Sequence, residues 1–433
     1  MKSRRNQPGA HAKKGLSRRS FVKGMAGAFA GIMVVPRRVL GGAGHTPPSE
    51  ELTKAVIGVG GMGQGHMRYT GSRLVAVCDV DEGHLQKALE MAGDGVKGYR
   101  DFREVLARPD IDIVHIPTPP HWHALISIAA ADAGKDIWCE KPMTRTIGEG
   151  KKVVEAVQRN GRIFRLNTWF RFEGTFYGFG TTVHPIKKLV DSGMLGWPLK
   201  VTVSSATGFD WKFYWSGKTD AKPEPVPAEL DYDMWLGPAP YKPYFAHRVH
   251  NSFRGYWDYD GGGLGDMAMH YLDPVQYLLG KDDESPVYVE ADSQQQHPDA
   301  VLPWRRIELR YADGCRLILD GKDADDDNIP FLEGPNGRLY RDWRSDIPRL
   351  RDKVERMPDP APQVTDFYQA VRDRRTFALN ERNAHRSCTL VNMAKIAVRL
   401  GRPLRFDPTS QRFIDDPAAN RLVDQPMRGP WHL

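Results

Sequence analysis

The chain predicts an α/β domain with a doubly wound parallel sheet, followed by an α+β domain whose sheet is mostly antiparallel. Three observations carry this. Short, continuously apolar strands alternate with helical segments up to about residue 168, a glycine-rich turn joins the first strand to the first helix, and from Trp197 onward the strands lengthen and alternate. Continuous apolar runs suit strands covered on both faces, whereas alternation suits strands with one face open.

The glycine turn organises the first domain. Ala55-Val56-Ile57 is β-prone, Gly58, Gly60 and Gly63 follow at Gly-x-Gly-x-x-Gly spacing, and Leu74 to Val77 is the next strand, closed by Asp79. The first glycine permits a tight turn, the second lets backbone approach a pyrophosphate, and the third lets the helix lie close on its strand. Open N–H groups in the first helical turn, which holds Gly61 and Met62, suit the phosphates. Asp79 stands about 20 residues beyond Gly58, where an acid holds the ribose hydroxyls. This is the fingerprint of a Rossmann domain. Val80 and Asp81 follow the acid with no Arg or Lys beside it, an arrangement that repels a 2′-phosphate and favours NAD over NADP.

Further along, an amphipathic segment (His84 to Met91) and a helix over Arg103 to Ala107 precede the apolar strand Ile111 to Ile116. That strand runs into Thr118-Pro119-Pro120-His121-Trp122-His123, a loop at the carboxyl end of a strand, where open α/β sheets bind ligands. Helix Ala124 to Ala133, strand Asp136 to Cys139, the loop Glu140-Lys141-Pro142, helix Ile147 to Asn160 and strand Ile163 to Leu166 complete the sheet. In the second domain, strands are expected at Leu199 to Ser205, Val287 to Asp292, Ile307 to Tyr311 and Arg316 to Leu319, the last two joined at Ala312-Asp313-Gly314. Trp211 to Trp257 is a Trp- and Tyr-rich loop region, and helices Val364 to Arg372 and Ala384 to Leu400 precede a Pro-rich tail.

The 433 residues, 40% hydrophobic and 27% charged, suit two globular domains. The net charge of +7 is misleading, because residues 1–50 hold ten Lys or Arg against Glu50 alone, leaving 51 basic and 53 acidic groups elsewhere. A body so balanced argues against nucleic acid and anionic membrane surfaces as partners. The basic excess belongs to Ser17-Arg18-Arg19-Ser20-Phe21-Val22-Lys23, a twin-arginine export pattern, followed by an apolar run, Gly24 to Val35, too short to span a bilayer. The expected divisions are therefore a signal and arm at 1–50, a Rossmann domain at 51–170, and a substrate and oligomerisation domain at 171–433, in a periplasmic protein with no stable membrane insertion. Cys78, Cys139, Cys315 and Cys388 lack CxxC spacing and read as core thiols.

Taken together, GVGGMGQGH (58–66), PTPPHWHALISIAA (117–130), CEKPM (139–143), DMWLGPAP (233–240) and GGGLGDMAMHYLD (261–273) resemble the glucose-fructose oxidoreductase, inositol dehydrogenase and MocA family, in particular its exported branch. The resemblance covers nearly the whole length. It implies an open-faced C-terminal sheet used for assembly into a homodimer or homotetramer, and oxidation or reduction of a sugar or polyol hydroxyl. It also implies that Lys141 is the active-site lysine and that Asp266 and His270 form the Asp-x-x-x-His pair. Removing a hydroxyl proton requires a base, and His is tuned for that near neutrality, so His270 is the expected base. Asp266, four residues away on one helical face, either orients the imidazole or contacts substrate; the alternative is that Asp266 caps the helix and His270 is a core residue.

The remaining expectations place Thr118, His123 and Glu140 with Lys141 at the cofactor, helix capping being the alternative for His123, and Arg171, Trp235, Tyr256 and Trp257 at a carbohydrate, whose C–H faces stack on rings while His247, His250 and Arg254 read its hydroxyls; packing of the inter-domain core explains some of the aromatics equally well. His247 and His250 are three apart, but no third ligand shares their spacing, so no metal is expected. An exported protein has little free NAD outside the cytoplasm. That favours a retained NAD(H) and closed redox chemistry, in which either a second carbonyl is reduced or a transient keto-sugar loses its glycosidic substituent and is reduced back.

Overall fold

The structure, a computed structural model, describes residues 51–172, 174–176, 178–321 and 328–433; the segment read as an export signal lies outside them. β1 (Thr53–Ile57), β2 (Arg73–Cys78), β3 (Lys97–Tyr99), β4 (Ile113–Ile116), β5 (Asp136–Glu140) and β6 (Phe164–Asn167) form a parallel sheet in the order β3-β2-β1-β4-β5-β6. The connecting helices are α1 (Gly61–Arg68), α2 (Glu82–Ala92), α3 (Phe102–Leu106), α4 (Pro120–Asp132) and α5 (Ile147–Arg159). β1, β4 and β5 are buried along their whole length, polar residues such as Lys54 and His115 included, as strands covered on both faces are. The strand order reverses between β1 and β4, and such a switch opens a crevice at the carboxyl ends of the strands.

Beyond β6, α6 (His184–Asp191), β7 (Lys200–Val203), α7 (Tyr232–Leu236) and α8 (Gly262–Leu278) lead to β8 (Tyr288–Ser293), β9 (Trp304–Arg310), β10 (Arg316–Asp320) and the hairpin of β11 (Leu332–Gly334) and β12 (Gly337–Leu339). After α9 (Leu350–Glu355), α10 (Phe367–Asp373) and α11 (Glu381–Leu400) come β13 (Leu404–Asp407), β14 (Arg412–Phe413) and α12 (Pro417–Val423). The second sheet runs β12-β11-β7-β10-β9-β8-β13-β14, antiparallel except for the β7–β10 pair. On β9, Ile307 and Leu309 are fully buried, while Glu308 on the opposite face is ringed by Arg306, Arg310 and Arg316 at 2.7–2.9 Å. All 17 residues of α8 are buried, and α11 packs against α8, α5, β8 and β9, so these two helices tie the second sheet to the first domain.

The tail expected to be merely Pro-rich is folded. Besides β13, β14 and α12, Arg428 donates to the carbonyls of Pro238 and Gly237, and Trp431 meets Trp122 edge-on at 4.8 Å. The four cysteines are buried and free, and among the described residues no helix is long and apolar enough to cross a membrane.

Candidate active site

A cleft lies where the switch point leads one to look, and its walls come from both domains. At one end is the glycine turn. Gly58 has φ +92°, and a Cβ there would stand 2.9 Å from Thr118 Cγ2; a Cβ at Gly63 would stand 2.0 Å from the Gly58 carbonyl oxygen, so α1 can lie on this turn only without a side chain. Gly60 precedes α1 and no side chain caps it, leaving the first N–H groups open for phosphate. Gly60, Gly61, Met62 and Thr118 line the cleft, with Asp79 at the end of β2. The Asp79 carboxylate accepts hydrogen bonds from the backbone N–H of Val59 (2.8 Å) and Asp81 (3.0 Å), which fix it for charge-assisted bonds to ribose hydroxyls. The uncapped turn, the space kept by the glycines and the held acid fit a dinucleotide. When bound, its nicotinamide supplies hydride acceptance or donation.

Folding also brings groups here that spacing could not foretell. Arg100 borders the cleft near Asp79, but its guanidinium is engaged by the carbonyls of Val80 (3.0 Å) and Glu229 (3.4 Å) and by Glu82 (3.7 Å). His84 and His250 meet edge to face at 4.7 Å beside Asp79 and Asp81. Asp81, His84 and His250 offer ligand atoms within 4.8 Å of one another, so folding gathers three potential ligands that the spacing of His247 and His250 did not show.

At the other end stands Lys141, which follows β5 directly. Its Nζ donates to Asp266 Oδ1 (2.8 Å) and to the Asp266 carbonyl (2.7 Å). Arg254 Nε donates to the same Oδ1 at 2.7 Å. Burial raises the Asp266 carboxyl, but the charges of Lys141 and Arg254 and their hydrogen bonds outweigh that and hold it well below the usual carboxylate range. Asp266 therefore sits inside α8 as an ionised anchor for two cations, not as a helix cap and not as a partner of His270.

Glu140 is the hinge between this end and the sheet beneath it. Its carboxylate accepts from His66 Nε2 (2.9 Å), Asn167 Nδ2 (2.6 Å) and the Lys141 backbone N–H (3.2 Å). Burial pushes this carboxyl up, yet His66, Lys141 and Asn167 bring it down to about 2. It borders the cleft, but its role in the fold is to hold the lysine backbone.

Several expected residues stand elsewhere. His270 does not border the cleft. Its ring stacks on Trp169 at 4.0 Å and its Nδ1 accepts the Trp169 N–H, so the neutral ring carries its proton on Nε2 and has no lone pair free, which argues against it as the base. His123 is buried, its nitrogens 2.7 Å from the carbonyls of Pro142 and Thr118, and it joins two loops without facing the cofactor. Arg171 is fully buried between Asp273 (2.7 Å) and Asp282. Tyr256 is buried, with its hydroxyl on His247 Nδ1 and the Lys218 N–H, and Trp257 is buried under Arg399; both pack the domain interior. Of the four residues assigned to substrate, Trp235 alone lines the cleft, and its carbonyl also accepts from His121 and Trp122. Met234, His250, Asn251, Phe253, Arg254 and Asp260 line it too. Of these, His250 and Arg254 were expected among the polar groups for a sugar, and Asp260 carried a sign that was not used, a carboxylate directly before Gly261-Gly262-Gly263 at a helix start.

This combination defines a Rossmann-type dinucleotide-binding domain joined to a second domain whose residues line the same cleft. Residues 52–168 match the family model for the NAD-binding Rossmann fold of this oxidoreductase family, and residues 179–433 match its C-terminal alpha/beta domain. The chain belongs to the glucose-fructose oxidoreductase, inositol dehydrogenase and MocA family, and NAD is the cofactor its first domain is built for. It is 31% identical over 156 residues to the inositol 2-dehydrogenase of Salmonella typhimurium, a match covering 35% of this chain and less than half (44%) of that enzyme. A glycosyl hydrolase family 109 protein of Shewanella baltica is 27% identical over 393 residues, covering 78% of this chain and 80% of that one. The WlbA dehydrogenase of Bordetella pertussis, solved with NADH and UDP-GlcNAcA, shares the fold with a TM-score of 0.56 at 19% identity, over 82% of this chain and 99% of that one.

Proposed function

We propose that the protein is an NAD(H)-dependent oxidoreductase acting on a hydroxyl of a sugar, polyol or sugar derivative. The observation that carries this is the Lys141 ammonium, gripped by Asp266 in the same cleft as the glycine turn and Asp79. With two of its three protons committed to Asp266, the ammonium has one to donate to a substrate oxygen. Arg254 and Asn251 offer polar groups and Trp235 and Phe253 offer apolar faces to the remainder of a sugar. The test is cofactor reduction in the purified protein on addition of sugars and polyols. Absence of any reduction across a broad panel counts against the reading.

A second reading is an NAD-using glycosidase that works through a transient keto-sugar, and the family 109 relative, similar over most of its length, favours it. It predicts release of a chromophore from a nitrophenyl glycoside with no net change in nicotinamide absorbance.

The cofactor is proposed to be retained. The loop before α7 pairs with the end of β2, through Asp231 N–H to the Val80 carbonyl (3.0 Å) and Glu82 N–H to the Glu229 carbonyl (2.9 Å), and His250 and Asn251 flank the same end of the cleft. Retention suits twin-arginine export of a folded, loaded protein to the periplasm. Replacing Arg18 and Arg19 by Lys should leave it in the cytoplasm, and continued export of that variant would refute the assignment. Assembly through the open face of the second sheet, as a homodimer or homotetramer, is proposed from the Glu308 ion-pair lattice, and light scattering at low and high salt tests it.

A further inference from the structure

Asp260 is the carboxyl around which the glycines of α8 are arranged. It is 1% exposed, it borders the cleft beside Lys141, Arg254 and Asp266, and its Oδ1 has no hydrogen-bond partner. A Cβ at Gly265 would stand 2.2 Å from that oxygen, and one at Gly261 would stand 2.8 Å from Lys395 Cε. The glycines thus clear room for the carboxyl and for the lysine behind it. A buried carboxyl oxygen without a donor is costly, and a folded site that keeps one needs a reason.

Its neighbours narrow the reason. Asp266 Oδ1 is filled by two cations and stays ionised, Lys141 is a donor, and the His270 lone pair is taken by Trp169. Asp260 borders the same end of the cleft and its carboxyl has no donor on Oδ1.

We infer that the Asp260 carboxylate, which borders the cleft, takes the proton of the substrate hydroxyl, a role that rests on the oxidoreductase reading above. The hydroxyl O–H bond breaks and its electron pair closes the new C=O bond, the proton bonds to the Asp260 carboxylate, and the hydride given up by the carbon would go to an oxidised dinucleotide held at the glycine turn. The reverse direction returns the proton. The charged groups facing Asp260 are Asp266 on α8, Lys395 on α11, Arg254 ahead of α8 and Lys141 after β5. Burial and then the Asp266 charge lift its carboxyl to about 7 against the pull of the three cations, and an acid or base poised there works best near neutral pH.

Asp260→Asn keeps the shape and removes the proton site. In infrared titration of the NAD-loaded protein, the wild type should lose one protonated-carboxyl band with a midpoint near 7 that Asp260→Asn lacks. In single turnovers with glucose and myo-inositol as probes, Asp260→Asn should retain cofactor and slow by on the order of 10² to 10⁴. Lys395→Met, which leaves Asp260 in place, should move both the band midpoint and the acid limb of oxidation to higher pH, because loss of a cation disfavours the ionised form. A missing band in the wild type, or an Asp260→Asn protein that oxidises a probe at the wild-type rate at every pH, overturns the assignment alone. A wild type whose cofactor neither probe reduces counts against the oxidoreductase reading and takes this inference with it.

Discussion

The two ends of the cleft are built on different principles. The dinucleotide end is local: Gly58, Gly60, Gly63 and Asp79 lie within one strand–turn–helix–strand unit, and backbone conformation does most of its work. The chemical end is assembled at long range, Lys141 meeting Asp266 across 125 residues of sequence, and charge does most of its work. Substitutions at the first end should therefore act on cofactor affinity, and those at the second on turnover with the cofactor still in place.

Lys141→Ala should give the largest effect, a loss on the order of 10² to 10⁴ in single-turnover rate with NAD retained. Loss of cofactor instead would erase the contrast between the ends. Arg171→Leu should act on neither end. It strips a buried cation from Asp273 and Asp282 and should cost about 3–5 kcal/mol of stability in denaturant unfolding, with the KM for substrate unchanged; a raised KM would return Arg171 to the substrate. Asp79→Ala should weaken NAD binding by about 1.5–3 kcal/mol, the worth of hydrogen bonds to a charged group, while leaving the rate at saturating NAD near wild type.

The smallest effect concerns acid stability. Because the Glu140 carboxyl is lowered to about 2 in the folded protein, its contribution to stability is present above the ordinary Glu range and is lost as pH falls toward that value. Glu140→Gln should therefore be less stable than the wild type at neutral pH, with the gap narrowing as pH falls. A gap that widens toward acid pH would show that Glu140 does not hold its partners as an anion.

The same contrast explains what the sequence could convey. The first end was legible because its signals are periodicity, glycine spacing and an acid at a fixed offset. Lys141 and Asp266 were legible through resemblance, but their bond to each other was not. Tyr256, Trp257 and Arg171 were expected at the substrate because residue type does not reveal burial; all three are buried and none lines the cleft. The short strands β3, β11, β12 and β14, of two or three residues, fall below any window in which alternation can be recognised. The sequence shows Asp260 directly before three glycines, but its missing hydrogen-bond partner appears only in three dimensions.

The central claim is that a retained NAD(H) meets a sugar hydroxyl beside Lys141. It is tested most directly by the near-ultraviolet absorbance of the purified protein, with no free NAD, before and after excess glucose or myo-inositol. One equivalent of bound nicotinamide, reduced by at least one of these probes in the wild type but not in Lys141→Ala, is the predicted result. A protein that carries no nicotinamide, or whose bound cofactor both proteins reduce equally, would contradict the account.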